Sequence, residues 1–457
     1  MKGLATALLC FAASVPTPCW AFQVSSSDKG VHSIARSFSH SSSKTTQLFA
    51  VDVSEAAPRD YNTFAAWGNQ YGLQTENMQL GEQFNEWGGV AINNAQAGSR
   101  VLFVPGQLRL TSSRIRQEEF PQLENAIKQY FDATNSNGQT NLGCQFYLFL
   151  KILKEYDQGE QSPYYPWLNA LPRNFHTSIT FKPYCIECLP PFVAFLAKQD
   201  RSNYELFMEV VNTLDIPQIS PQTKQNLDVT KWAFNVVFTR ARAAFEEAEI
   251  IPMADMLNHN ANPNVEVQYD NDGNVHVVAL RNIQSGEPLF KSYGQITNPS
   301  RFLSTYGFFD ASSPATYCKL MAGKTLTPEL KNMGFVYDRM VFYHETGDIA
   351  PEVWDVMLYI ILGDNDRNLQ QQFYEAHMRG DAQTKANFHN QYRGITADAL
   401  LNHVDDMFRE LGKCADKIRA NPDPNNKNLP MIMYHNDFVR ETFIKVRQNL
   451  ENIKSQG

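Results

Sequence analysis

The chain has 457 residues, 43% of them hydrophobic, and carries 48 acidic against 40 basic side chains for a formal net charge of −8. That balance excludes a general nucleic-acid binder, which needs a basic surplus. The apolar fraction lies in the globular range, and the length suffices for one large core or, better, two domains.

The N-terminal residues form a presequence. Lys2 precedes an apolar run from Leu4 to about Val15, shorter than the ~20 residues a bilayer-spanning helix needs, and Ala21 offers a small residue for cleavage. Residues 1–21 therefore read as a signal peptide. Residues 22–50 are rich in Ser and Thr, with Lys29, Arg36 and Lys44 against the single acid Asp28, which is transit-peptide composition. With Phe22 at the junction, the succession resembles the bipartite presequences of algae with secondary plastids and implies a chloroplast-stroma location; an ordinary secreted protein with a Ser-rich linker is the alternative. No long apolar run follows, so the mature protein is expected to have no membrane partner. Cys10 and Cys19 leave with the presequence, and the remaining five of the seven cysteines are too scattered for a disulfide framework. Cys185 and Cys188 form one C-x-x-C without a second pair, short of the four ligands of a structural zinc site.

Tyr61 to Leu73 predicts a short helix with Phe64, Trp67 and Tyr71 on one face, ended at Gly72. A glycine-containing run, Phe84 to Ala91, follows. Val101 to Pro105 reads as a strand continued by Leu108, Leu110 and Thr111. From Arg114 to about Phe238 the period turns helical: Phe120, Leu123, Ile127 and Phe131 recur at three- and four-residue steps, as do Phe146, Phe149, Leu150 and Leu153. Within it, Pro163 to Pro191 is expected to be a long irregular crossing whose aromatics belong to the core. Trp232 to Ala241 is a further apolar helix with Thr239-Arg240 at its end.

Pro252 to Phe309 carries the densest information. Asn258, His259, Asn260, Asn262, Pro263 and Asn264 favour a turn-rich loop. Val265, Val267 and Tyr269, then Val275, Val277 and Ala279, alternate about Asn271-Asp272-Gly273, so 264–281 predicts a β-hairpin. Ser285-Gly286 makes a second turn before Leu289, Phe290, Tyr293 and Gly294. Beyond Asp310, residues 311–314 read as a linker. The remainder is helical, with Pro351-Glu352 opening one helix, Thr396 capping another, and Phe438, Phe443, Ile444 and Leu450 marking the last. Asn421 to Asn428 is a surface loop.

Three motifs in order, Pro252-Met-Ala-Asp-Met-Leu-Asn258-His259, then Gly286-Glu287 ahead of Tyr293-Gly294, then Tyr306-Gly307-Phe308, resemble the SET-domain protein methyltransferases, and within them the group of the plant Rubisco large-subunit lysine methyltransferase. The resemblance implies an α+β fold, a SET domain of short strands and hairpins over 58–310. A helical insert spans about 114–238, and an all-α substrate-binding domain follows over 315–457. It implies S-adenosyl-L-methionine as methyl donor, a folded protein as partner (Rubisco large subunit or plastid aldolase being family-level candidates), and no metal. Tyr293 and Tyr306 stand at the family's methyl-transfer centre. Glu86, Gly88, Gly89, Thr239, Arg240, Asn258, His259 and Tyr293 stand where the family contacts the donor.

The chemistry agrees with those residue types. A lysine nucleophile must be neutral, and reaching that form at a pH of ~8 from a pKa near 10.4 costs about 3 kcal/mol. A dry channel disfavours the ammonium, tyrosine hydroxyls orient the lone pair, and an aromatic face suits a sulfonium. Two departures bear on the activity. Trp87 occupies the place of the family's first loop glycine, and Arg242 stands where lysine-directed members place a Phe against the acceptor amine, although Phe245 is near enough to replace it. Histidine-directed members place a Trp at the position of Ala254. Lysine is the expected acceptor; histidine, or a non-catalytic binding module that keeps the fold, are the alternatives.

Overall fold

The computed structural model describes residues 50–456 apart from 84–85, 133–141, 245, 295–298, 311–316, 320–325 and 337–338; Phe245 and residues 1–49, expected to be a presequence, lie outside the described residues. Helix α1 (Tyr61–Gln70) starts where the Asp60 carboxylate accepts the Thr63 backbone N–H, satisfying a donor that the helix itself leaves unpaired. Phe64 and Trp67 are buried, whereas Tyr71 lies past the last helical residue and is exposed. Strands β1 (Met78–Gln83) and β2 (Glu86–Ala91) pair antiparallel, and β3 (Arg100–Val104) follows. The expected continuation of β3 is interrupted: Gly106–Leu108 form a 3-10 turn, and β4 (Leu110–Thr111) joins another sheet. Pro105, with no N–H to give a ladder, sits at the break.

The insert is helical, with α2 (Leu142–Gln158), α3 (Pro191–Thr213) and α4 (Leu227–Arg240) as its long members. Phe207 of α3 is fully buried, its ring centroid 5.1 and 5.4 Å from Phe146 and Phe149 of α2 and 5.3 and 5.9 Å from Phe234 and Phe238 of α4. Such pairs add ~0.5–1.5 kcal/mol each beyond the area they bury. They fix the end of α4 that carries Thr239 and Arg240. The crossing from Pro163 to Pro191 is more regular than its composition predicts. It holds the short helices Tyr165–Ala170 and Pro183–Glu187, each with a proline in its first turn, where no N–H partner is required.

After α4 come β5 (Arg242–Ala244), β6 (Glu247–Ile250), the 3-10 turn Ala254–Met256, β7 (Asn258–His259), β8 (Val265–Tyr269), β9 (Val275–Ala279) and β10 (Pro288–Lys291). Three small sheets result, in the orders β1-β2-β10-β7, β3-β9-β8 and β4-β6-β5. The hairpin expected over 264–281 is present, running from Val265 opposite Ala279 to Tyr269 opposite Val275. The expected loop at 258–259 is instead a two-residue strand, held by β10 in parallel register with Lys291 opposite His259. On its other edge β10 pairs antiparallel with β2, Leu289 opposite Gly89.

The C-terminal part is built of α5 (Pro299–Tyr306), α6 (Pro351–Asn365), α7 (Arg367–Met378), α8 (Ala382–Ala420) and α9 (Leu429–Gln456). To this helical region is added a two-stranded ribbon, β11 (Tyr317–Lys319) against β12 (Val341–Tyr343). Thr396 caps nothing: it lies inside α8, its hydroxyl donating to the Tyr392 carbonyl, and the cap is Asp381, which accepts from the Thr384 N–H. Helix α5 is wedged between insert and C-terminal helices. Its Leu303 shares a buried cluster with Phe181, Cys185 and Val193 on one side and Leu429 and Ile432 on the other. Ser300 Oγ lies 3.0 Å from His435 Nε2 of α9. Cys185 and Cys188 are buried free thiols, and among the described residues no cluster could hold a metal ion. None of the described helices is long and apolar enough to cross a membrane.

Candidate active site

The segment 253–259 is threaded between strands, and glycines make the threading possible. A Cβ on Gly88 would lie 2.5 Å from Asn258 Nδ2, and one on Gly89 2.6 Å from Leu257 Cδ2. These glycines therefore serve the close passage of β2 over residues 257–258, and neither has a positive φ. Met253 is the one non-glycine among the described residues with φ in the left-handed region, at 74°. Strain of this kind costs ~1–3 kcal/mol and persists where packing dictates it. Here it turns the chain so that the carbonyls of Ala254 and Asp255 face Lys291 and Arg240.

His259 is a brace. Its side chain is 2% exposed, and its ring packs against Phe302, Tyr293 and Phe308 at centroid distances of 4.7, 5.2 and 5.9 Å. Nδ1 accepts the Tyr293 backbone N–H at 3.0 Å, which leaves the proton on Nε2, donated to Asp310 Oδ2 at 3.1 Å. The imidazole is thus spent on fixing Tyr293. Tyr293 in turn donates its hydroxyl to the Leu257 carbonyl at 3.0 Å, and its ring stands 5.0 Å from that of Tyr306, the last residue of α5. Burial raises the pKa of both phenols, so both stay neutral donors over the physiological range.

A cavity of about 700 Å³ opens beside the pair, lined by Tyr293, Tyr306, Lys291, Arg240, Asp255 and Arg242 among others. Arg240 Nη1 donates to the Asp255 carbonyl at 2.7 Å and approaches its Oδ2 at 3.4 Å, and the same oxygen accepts Trp167 Nε1 at 3.1 Å. Thr239 lines the cavity with its hydroxyl turned back to the Asn235 carbonyl, 2.7 Å away. Arg242 is exposed at the rim, donating to the Tyr269 hydroxyl at 3.2 Å and lying over that ring. Glu86 is exposed at the start of β2.

Sequence reasoning missed a second group. Trp87, unexplained as a glycine replacement, stacks on Tyr61 at 3.8 Å and 15°, and its carbonyl accepts from Asn258 Nδ2 at 3.4 Å. Arg59, which donates to the Ala170 carbonyl at 2.8 Å, lies over the Tyr61 ring at 4.7 Å. Burial lowers its pKa to about 10 and raises that of Tyr61 to about 12, with Arg240 acting on both. Three buried polar atoms here have no hydrogen-bond partner: Tyr61 OH, Arg240 Nε and Asp255 Oδ1. Arg59 lies just before the helical pattern and Tyr61 is its first residue, so periodicity gives neither a motif of its own.

The strand order, the threaded segment and the paired tyrosines define a SET fold. Residues 86–294 match the SET domain family, and the chain carries a SET domain. More particularly, the fold is that of the Rubisco LSMT structures. One, titled as the SET domain of LSMT bound to lysine and AdoHcy, superposes with a TM-score of 0.63 at 14% identity, over 86% of this chain and 92% of that one. Another, titled as Rubisco LSMT bound to AdoMet, gives 0.61 at 15% over 87% and 92%. Among curated relatives, actin-histidine N-methyltransferase of Mus musculus is 23% identical over 54% of this chain, and that of Xenopus tropicalis 24% over 58%. The matches span 42% and 46% of those proteins' own lengths, less than half. N-lysine methyltransferase setd6 of Danio rerio is 41% identical over 59 residues, 13% of this chain and 12% of its own length.

Proposed function

We propose that the chain is an S-adenosylmethionine-dependent protein N-methyltransferase that acts on a lysine of a folded protein. The observation that carries the reading is a cavity lined by Tyr293, Tyr306 and the Arg240–Asp255 pair, on a SET fold. The methyl donor supplies a methyl group on a positively charged sulfur. The chain's residues fit it: unpartnered Asp255 Oδ1 is an acceptor for its ammonium, Arg240 Nε and Tyr61 OH are donors for its carboxylate, and the Trp87–Tyr61 stack offers an aromatic face to a cation. Neutral Tyr293 and Tyr306 orient the acceptor nitrogen and keep water from it.

Ala254, where histidine-directed members carry a bulky ring, supports lysine. A second reading, histidine, draws on the two cations Arg242 and Lys291 in the cavity wall and on the names of the actin-histidine relatives. For the setting we propose the plastid, on the presequence, with a stromal protein such as Rubisco large subunit or aldolase as substrate; secretion is the alternative.

The test starts from calorimetric titration of S-adenosylmethionine into residues 50–457. Extract proteins are then labelled with a methyl-tritiated donor and the modified residue is mapped. Micromolar binding and label on lysine support the proposal, and label on histidine selects the second reading. A folded protein that does not bind the donor removes both and leaves a binding module without catalysis.

A further inference from the structure

The space beside the tyrosine pair continues past it. A second cavity of about 170 Å³ shares Tyr293, Gly294 and Tyr306 with the first as a common wall. The rest of its lining is largely helical, with Gln145 on the first turn of α2, Gln199 and Asn203 one turn apart on α3, and Arg301 and Thr305 on α5. It is smaller than the ~300–1,000 Å³ of sites that enclose a whole small molecule. It has room for one side chain.

Two atoms in this wall are unused. Gln145 is 7% exposed and Thr305 9%, and Gln145 Oε1 and Thr305 Oγ1 are buried with no hydrogen-bond partner. Buried polar atoms are nearly always paired, because an unpaired one has given up its hydrogen bonds to water for nothing. Neither atom belongs to the unpartnered group of Tyr61, Arg240 and Asp255 that fits the methyl donor. We infer, on the methyltransferase reading above, that this cavity is a specificity subsite for a residue next to the acceptor in the substrate chain, and that the residue it takes is Asn or Gln.

The wall selects the chemistry by elimination. Among the described residues no carboxylate lines the cavity, so a Lys or Arg would enter without a counter-charge. Its one cation among those residues, Arg301, is held by Asp200 at 3.2 Å, so an Asp or Glu finds no free positive charge. An apolar side chain leaves both orphan atoms as they were. A carboxamide has two N–H donors and an acceptor oxygen. It gives one hydrogen to Gln145 Oε1 and still has a group for Thr305 Oγ1, which donates or accepts, whereas a Ser or Thr hydroxyl has a single hydrogen to offer. Neighbouring Cα atoms in the substrate lie ~3.8 Å apart, so a residue beside the acceptor reaches a cavity that shares the acceptor's wall.

The experiment uses two sets of short acetylated and amidated peptides, one centred on lysine and one on histidine, in an alanine background. Each position from two before to two after the acceptor carries every amino acid in turn, and residues 50–457 transfer label from methyl-tritiated S-adenosylmethionine. At one position Asn or Gln is expected to raise kcat/KM about ten- to a hundredfold over Leu, Asp or Lys, mostly through KM, at about tenfold per orphan atom satisfied. Gln145→Leu and Thr305→Val should each cut that preference about tenfold. Each also deletes a buried atom that has no partner, so the urea midpoint should stay or rise. Equal rates for all side chains, a preference for charged or apolar ones, or a preference that survives in both variants overturns the inference. So does a lowered urea midpoint in both variants, which would mean that the two groups are bonded in the free protein. Peptides left unlabelled by a protein that labels extract proteins also overturn it, and leave the methyltransferase reading intact. A folded protein that labels neither peptides nor extract removes that reading and the inference with it.

Discussion

Replacing His259 by Phe separates a brace from a ligand contact. The benzyl ring preserves the packing against Phe302 and Phe308 but removes the acceptor of the Tyr293 N–H and the donor to Asp310. A buried donor left unsatisfied costs ~1–3 kcal/mol, and a hydrogen bond to a charged group contributes ~1.5–3 kcal/mol, so the sum expected is about 2.5–6 kcal/mol. Urea unfolding followed by tryptophan fluorescence measures it. Calorimetry at low temperature, with the variant folded, should find S-adenosylhomocysteine affinity within about fivefold of the parent, while methylation falls because Tyr293 has lost its tether. A hundredfold loss of affinity with stability unchanged to about 0.5 kcal/mol would refute the reasoning and make the imidazole a donor contact.

Gly89→Ala places a methyl 2.6 Å from Leu257 Cδ2, and overpacking of this kind costs ~1–3 kcal/mol, visible in the same unfolding assay. Phe207→Ala empties the centre of the insert's phenylalanine cluster and should cost ~3–5 kcal/mol, lowering the midpoint of thermal unfolding. Asp355 is a pH-dependent case. Burial pushes its carboxyl up, but hydrogen bonds from His389 and Lys385, both at 2.7 Å, outweigh that and hold it below the usual value. A depressed carboxyl stabilises the fold above its unfolded pKa, and the contribution disappears as pH falls through the folded one. Asp355→Asn should therefore be less stable than the parent at pH 7, and the gap measured by unfolding should narrow as pH falls below the ordinary carboxylate range.

What the sequence made legible was whatever is local and periodic. The hairpin at 264–281 was readable because alternation and an Asn-Asp-Gly turn act within a few residues. The pairing of Tyr293 with Tyr306 was readable only through the resemblance, since the two rings meet through tertiary packing. For His259 the motif reveals that the residue is needed without revealing which of its atoms is used. The break after Pro105 and the position of Thr396 inside α8 were missed for one reason: strand exchange and helix continuation are settled by partners far along the chain. Arg59, Tyr61 and Trp87 come together only when α1 meets β2, so no spacing rule could have joined them.

Helix α5 gives the molecule a mechanical property. Its Ser178–Ser304 backbone bond and the Arg301–Asp200 pair tie it to the insert, Ser300 and Leu303 tie it to α9, and its last residue is Tyr306. One eight-residue helix is therefore a beam shared by three parts of the chain, and its far end is a wall of the candidate cavity. A displacement of α9 is passed to Tyr306 through the contacts of Ser300 and Leu303. Cutting the chain before α9 would release the beam, so the SET domain is a component that its C-terminal helices complete.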